Sequence, residues 1–185
     1  MIEKRIKVYD NLFSSQLEDI IEKLCLTQLP YYYTPNIATE QHTILSPGFS
    51  HFFINSLSKP HSEKYTPFFN NILYTLSNKL SIVVEQIIAG RVFMHLPSPN
   101  PGADTIHTDL DTPHWVALYY INDSDGDTIF FDNNENEIKR VSPKKGRIAF
   151  FDGSIPHCSS RPSKSTRVIV NFDFNGTFFG EEKKN

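Results

Sequence analysis

The chain has only two cysteines among its 185 residues, Cys25 and Cys158. Two thiols cannot build a disulfide framework, and residues 1–8 alternate charged with apolar side chains where a secretory leader would carry an apolar run. Both absences point to an intracellular, cytoplasmic protein. Long apolar runs are missing too. The longest, Trp115 to Ile121, falls far short of the roughly 20 residues needed to cross a bilayer, so a soluble chain with no membrane partner is expected. Nor is there an excess of positive charge: a formal net charge of −3 gives no broad field for duplex nucleic acid or an anionic membrane. The basic clusters, Lys144-Lys145-Arg147 and Arg161 to Lys164, are short. No internal repeat or low-complexity segment interrupts the chain.

What the chain does have is 39% hydrophobic and 13% aromatic residues, enough to bury one core and form a single domain over 1–185. Ile2, Ile6 and Val8 predict a first strand, and Ser15-Gln16-Leu17-Glu18 has the form of a capping box opening a helix whose apolar face is Leu17, Ile20, Ile21 and Leu24. Residues 27–64 are polar and dotted with proline and tyrosine, reading as loops with short strands and as a candidate lid. Pro67 at a first helical turn, with Phe68, Phe69, Ile72, Leu73, Leu76 and Leu80, predicts a second helix.

From about residue 81 the pattern turns to β. Runs rich in branched and aromatic residues recur at 82–94, 115–121, 128–131, 137–141, 147–151 and 167–174, separated by turn signals such as Asp125-Gly126 and Asn133-Asn134. The expected fold is mainly β with flanking helices: a helical and loop front over about 1–80, then a jelly-roll core over about 81–175, a cupin-like double-stranded β-helix backed by the two helices.

Two distant segments carry the chemistry. In His107-Thr108-Asp109, residues two apart on an extended strand point to the same face. His157, from a distant strand, completes a three-ligand face, and Arg167 follows ten residues later. Two histidines and one carboxylate with open positions opposite form the ligand set of mononuclear non-heme iron(II) oxygenases. With seven histidines in the chain, a lone His-x-Asp match has little weight. Order and context raise it, because the pair precedes the strand at 115–121, His157 follows a turn after the strand at 147–151, and Arg167 opens the last strong strand.

The segments HTDLDTPHWVALYYINDSDGDTIFFD and GRIAFFDGSIPHCSSRPSKSTRVIV resemble the Fe(II)- and 2-oxoglutarate-dependent dioxygenases, in particular the prolyl 4-hydroxylase-like branch. The resemblance covers about residues 90–175. It implies His107, Asp109 and His157 as iron ligands, Arg167 as the partner of the distal carboxylate of 2-oxoglutarate, and Tyr120 as a tyrosine that hydrogen-bonds this co-substrate. His95 stands where many relatives carry a tyrosine, either as a co-substrate contact or as a structural residue. Dioxygen is the implied second co-substrate and ascorbate a candidate reductant. Iron(II) at +2, Asp109 at −1, 2-oxoglutarate at −2 and Arg167 at +1 sum to a neutral site that can be desolvated.

Other readings compete. His114 lies close enough in sequence to replace His107, although five residues from Asp109 is an odd spacing for a strand. His42, His51 and His61 read as structural histidines. Asp123, Asp125 and Asp127 imitate an EF-hand loop that lacks its glycine and its terminal glutamate, so a hairpin turn is the better account. Cys158 reads as a redox switch or a small buried residue, and Trp115 as a pocket wall or as core. The expected activity is hydroxylation of a C–H bond, in a prolyl or other side chain of a protein or peptide. A small-molecule or nucleic-acid substrate, or a non-catalytic metal-binding jelly roll, is the alternative. Oligomeric state and prime substrate are open at this level.

Overall fold

Alternation along one long strand organises the molecule. In Arg167–Phe178, the residues Val168, Val170, Phe172 and Phe174 turn to one face and join the larger apolar cluster, while Arg167, Ile169 and Asn171 turn to the other and line a cavity. The computed structural model describes residues 5–37, 46–55, 61–100 and 102–178. In chain order the elements are β1 (Ile6–Tyr9), α1 (Ser15–Thr27), β2 (Tyr32–Thr34), β3 (Gly48–Ile54), α2 (Thr66–Leu80), β4 (Ile82–His95), β5 (Trp115–Tyr120), β6 (Thr128–Phe131), β7 (Glu137–Val141), β8 (Ile148–Asp152), β9 (His157–Ser159) and β10 (Arg167–Phe178).

These strands form two antiparallel sheets, one of seven strands in the order β1-β8-β5-β10-β4-β3-β2 and one of three in the order β7-β6-β9. β10 is central, paired along its length with β4 and over its first half with β5. Between the sheets lies a smaller core that includes Val116, Leu118, Phe130, Phe151 and Ile169. The other face of the large sheet is covered by the helices, with Ile21 and Cys25 of α1 and Phe69, Ile72, Leu73 and Leu76 of α2 buried against it. This is the double-stranded β-helix backed by two helices that the sequence predicts. Among the described residues, no helix is long and apolar enough to cross a membrane.

The details shift where local signals were ambiguous. The cap of α1 is Ser14, whose Oγ accepts from the Leu17 N–H, so Glu18 sits one place beyond the capping-box position. Ile20 is 57% exposed and Cys25 takes its place in the buried face, because packing on the sheet selects one helical stripe. Ile2 lies outside the described residues. Within 27–64, β2 and β3 extend the large sheet beyond β4, so the front of the chain supplies part of the barrel and not only its cover. Residues 38–45, which include His42, and 56–60 lie outside the described residues, as does the tail from 179 onward. The short strand β9 escaped sequence reading.

Phe172 has no exposed surface and packs edge-on against Phe53, which in turn stacks on Phe69 of α2. Replacing Phe172 by Ala is expected to cost about 3–5 kcal/mol, measured as the fall in urea unfolding free energy, whereas Ile20→Ala should change stability by no more than about 0.5 kcal/mol.

Candidate metal and co-substrate site

The connection between β4 and β5 crosses one end of the smaller core, and there His107 pairs with the first residue of β9. His107 N–H donates to the His157 carbonyl and His157 N–H to the His107 carbonyl, both at 2.9 Å. This reciprocal pair brings the two imidazoles to a centroid separation of 4.8 Å. Asp109 lies on a bend two residues further on. The expected strand through His107 and Asp109 is therefore a single bridge followed by a bend, and backbone curvature rather than strand alternation turns the carboxylate toward the rings.

Both rings are oriented by their own backbone. His107 Nδ1 lies 2.9 Å from the Thr105 carbonyl and His157 Nδ1 3.0 Å from the Ile155 carbonyl. A carbonyl only accepts, so Nδ1 carries a hydrogen, and in the neutral ring each Nε2 lone pair is free for an ion held between the rings and Asp109. His107 Nε2 is 3.6 Å from Asp109 Oδ1 and His157 Nε2 3.8 Å from Oδ2. These ligand atoms all lie within 4.8 Å of one another, so one ion can reach all three. Burial pushes the Asp109 carboxyl upward, yet the neighbouring His107 ring and the charges of His157 and Arg91 outweigh it and hold the group below the usual carboxylate range. Burial also draws His157 down, to about 4, against the pull of Asp109. For His107 the balance reverses: burial lowers it, but the Asp109 carboxylate raises it further.

The opposite end of the cavity is built around Arg167, 1% exposed at the start of β10. Its Nη2 donates to Thr128 Oγ1 at 2.9 Å, and the Tyr120 hydroxyl donates to the same oxygen at 2.7 Å. Its Nε and Nη1 are buried without a partner. A buried guanidinium with two donor positions unmet is costly unless something anionic completes it, and a carboxylate supplies both the charge and the acceptors. Gly126 permits the close packing here, because a Cβ would lie 2.8 Å from the Ser160 carbonyl oxygen and 3.0 Å from Arg167 Cδ. His95 faces Arg167 across the β4–β10 ladder, is 3% exposed, and leaves its Nδ1 unpartnered. Burial first, then the Arg167 charge, hold it well below the ordinary histidine value and keep it neutral. A cavity of about 70 Å³ spans His107, Asp109 and His157 at one end and His95, Thr128 and Arg167 at the other.

Most of the remaining candidates fall elsewhere. His114 forms a second close group with Asp109 and Asp173, but Arg91 Nη2 is ion-paired with Asp173 there, so a cation already occupies that corner. His114 does not line the cavity. Trp115 stacks on Phe150 and donates from Nε1 to the Gly176 carbonyl, facing the helix side of the sheet. Tyr120 is fully buried and does not line the cavity itself; it supports the cavity through Thr128 and through its ring beneath the Arg167 guanidinium. Cys158 packs with Ile129 and Phe131 and also lines the cavity beside His157, and His51 hydrogen-bonds the Pro30 carbonyl. The three aspartates of the EF-hand-like run point to separate partners. Asp123 accepts from Lys145 N–H, Asp125 from the Ser163–Ser165 turn, and Asp127 from Arg140. Two site residues escaped sequence reading altogether. Thr128 looked like an ordinary β-branched strand opener. Asn171, whose Nδ2 donates to Asp109 Oδ2 at 3.1 Å, differs from its neighbours only as a poor strand former on the inner face of a strand.

No protein-family model and no curated protein sequence matches the chain. Solved structures do. A 2OG-Fe(II) oxygenase family oxidoreductase from Burkholderia pseudomallei superposes with a TM-score of 0.73 at 9% identity, over 94% of this chain and 86% of that one. The fold is that of the 2OG-Fe(II) oxygenases. A prolyl-4-hydroxylase from Pseudomonas putida follows with a TM-score of 0.61, 16% identity and 92% of each chain covered. HygX from Streptomyces hygroscopicus, solved with nickel, 2-oxoglutarate and hygromycin B, has a TM-score of 0.58 at 12% identity, over 97% of this chain and 86% of that one.

Two substitution series test the two ends of the cavity separately. His107→Ala, Asp109→Ala and His157→Ala should each leave a folded protein that binds iron(II) poorly, while His114→Ala retains binding; full iron occupancy in His107→Ala would remove that residue from the ligand set. Arg167→Leu should weaken 2-oxoglutarate binding by about 2–5 kcal/mol with iron binding kept, and Tyr120→Phe by about 0.5–1.5 kcal/mol, both read by calorimetric titration.

Proposed function

We propose that the chain is an iron(II)- and 2-oxoglutarate-dependent dioxygenase that hydroxylates a C–H bond and releases succinate and carbon dioxide. The observation that carries this reading is the orphaned half of the Arg167 guanidinium, which faces the His107–Asp109–His157 group across one small cavity. A purely structural metal centre has no use for a buried cation at its far end. The three ligand residues would hold iron(II), which with bound 2-oxoglutarate and dioxygen supplies the oxidant for an unactivated C–H bond.

Each residue then has a stated task. The unmet donors of Arg167 receive the distal carboxylate in charge-assisted hydrogen bonds, and Thr128, which accepts from both Arg167 and Tyr120, has its own hydroxyl hydrogen left to donate. His95 is neutral and adds no charge. The paired Arg91 and Asp173 cancel each other, so the assembled site keeps its net charge at zero. Ile169 and Leu118 line the cavity between the charged ends and exclude water.

For the prime substrate, the reading is a prolyl or other side chain of a protein or peptide, supported by the likeness to the P. putida prolyl-4-hydroxylase. The hygromycin B-bound neighbour supports a small molecule instead. A nucleic-acid substrate finds little support in the charges, because Lys145 pairs with Asp19 and Glu22 of α1, and Arg147 and Lys144 pair with Asp10.

The test needs no prime substrate. Succinate formation from 2-oxoglutarate with iron(II) and ascorbate should occur in air, fall to background under argon, and be abolished by Asp109→Ala. Stimulation by a proline-containing peptide would support the finer reading. Iron and 2-oxoglutarate both bound, with no succinate formed with or without peptides, would move the protein to the non-catalytic binding class.

A further inference from the structure

Asn171 is an anomaly in its strand. It lies on the inner face of β10, is 4% exposed, and stands on a central strand flanked by β4 and β5, where an amide is disfavoured by propensity and by burial. Only one of its polar atoms has a partner: Nδ2 donates to Asp109 Oδ2 at 3.1 Å, while Oδ1 is buried and unpaired. The amide also lines the cavity. An apolar residue here would avoid the cost of the unmet carbonyl, so the amide's single contact is the feature that accounts for it.

We infer that Asn171 is a positioning residue that makes Asp109 a one-oxygen ligand. Its hydrogen bond takes one lone pair of Oδ2, the oxygen 3.8 Å from His157 Nε2, and leaves Oδ1, 3.6 Å from His107 Nε2, as the stronger donor toward a metal. A carboxylate free to rotate could offer both oxygens and close one of the positions that a chelating co-substrate and dioxygen require. Asn171 prevents this from a strand held on both sides, while Asp109 itself rides on a bend. The anchor comes from the rigid partner. Partners of metal ligands that orient them in this way typically contribute about 10–100-fold in metal affinity.

The inference rests on the metal-centre reading, and the experiment separates the two. Cobalt(II) is titrated into metal-free wild type, Asn171→Leu and Asn171→Ser, followed by its ligand-field absorption, alongside thermal unfolding of the metal-free proteins. Leu keeps the bulk and loses the hydrogen bond; Ser is too short to reach Oδ2 and guards against a Leu variant that fails to fold. The expected result is cobalt affinity weaker by about 10–100-fold in both variants, with an altered absorption envelope, and no matching loss of thermal stability in the metal-free state. Affinity and spectrum equal to wild type in a folded variant would overturn the assignment of Asn171 and leave the His107–Asp109–His157 centre standing. Wild-type protein that binds no cobalt would overturn the centre itself, and this inference with it.

Discussion

The pairing of β10 between β4 and β5 is the constraint on which both core and site depend. Side chains alternate strictly along a strand, so a slip of one residue would send Arg167, Asn171 and Asp173 into the helix-packed core and Val168, Val170 and Phe172 into the cavity. Three buried polar groups would then meet only hydrocarbon, at several kcal/mol each for the charged ones. Apolar packing on one face and polar chemistry on the other thus enforce the same register. Asn171 stands where the strand is paired on both edges and Arg167 where it is paired with His95 of β4, so both side chains issue from sheet backbone, the condition under which a site can be held to sub-ångström tolerance.

The cavity stores unmet interactions at both ends. Arg167 leaves two donors unpaired, His95 one ring nitrogen and Asn171 one carbonyl, and native interiors normally satisfy nearly all such groups. Their concentration in one small space marks it as a place where stability is given up for binding. Many charges nearer the surface are matched. Arg140 pairs with Glu137 and Asp127, Arg5 with Asp152, and the basic turn before β8 with acidic residues of α1 and with Asp10. Other buried polar atoms, on Asp104, His114 and Asp173, are also unmet, so the chemistry is located by an unmet cation that shares one cavity with the three ligand groups.

Much of this was readable from local pattern. The strands at 128–131 and 137–141 have the bounds their branched and aromatic runs imply, and α2 begins beside Pro67. Errors arose where two local signals were equivalent. Adjacent Ser14 and Ser15 can each cap a helix, and the stripe that packs on the sheet chose between them. The connection holding His107 and Asp109 resembles a strand in sequence but pairs only at two isolated bridges, at Ala103 and His107, and bends at Asp109, whose carboxylate meets Asn171 of β10.

The sequence by itself determined the residue types and their order: a His-x-Asp pair, a later histidine, an arginine opening a strand, and the alternation that separates polar from apolar faces. Those are properties of near neighbours along the chain, where period and turn chemistry act. Tertiary structure alone decided which atoms meet. His107 rather than His114 joins His157 because backbone hydrogen bonds tie it there, and Thr128 bridges Tyr120 to Arg167. Asn171 reaches Asp109 across 62 positions, and Arg167 reaches Thr128 across 39. Contacts at such separations depend on how the two sheets close on each other, and no local periodicity carries that information.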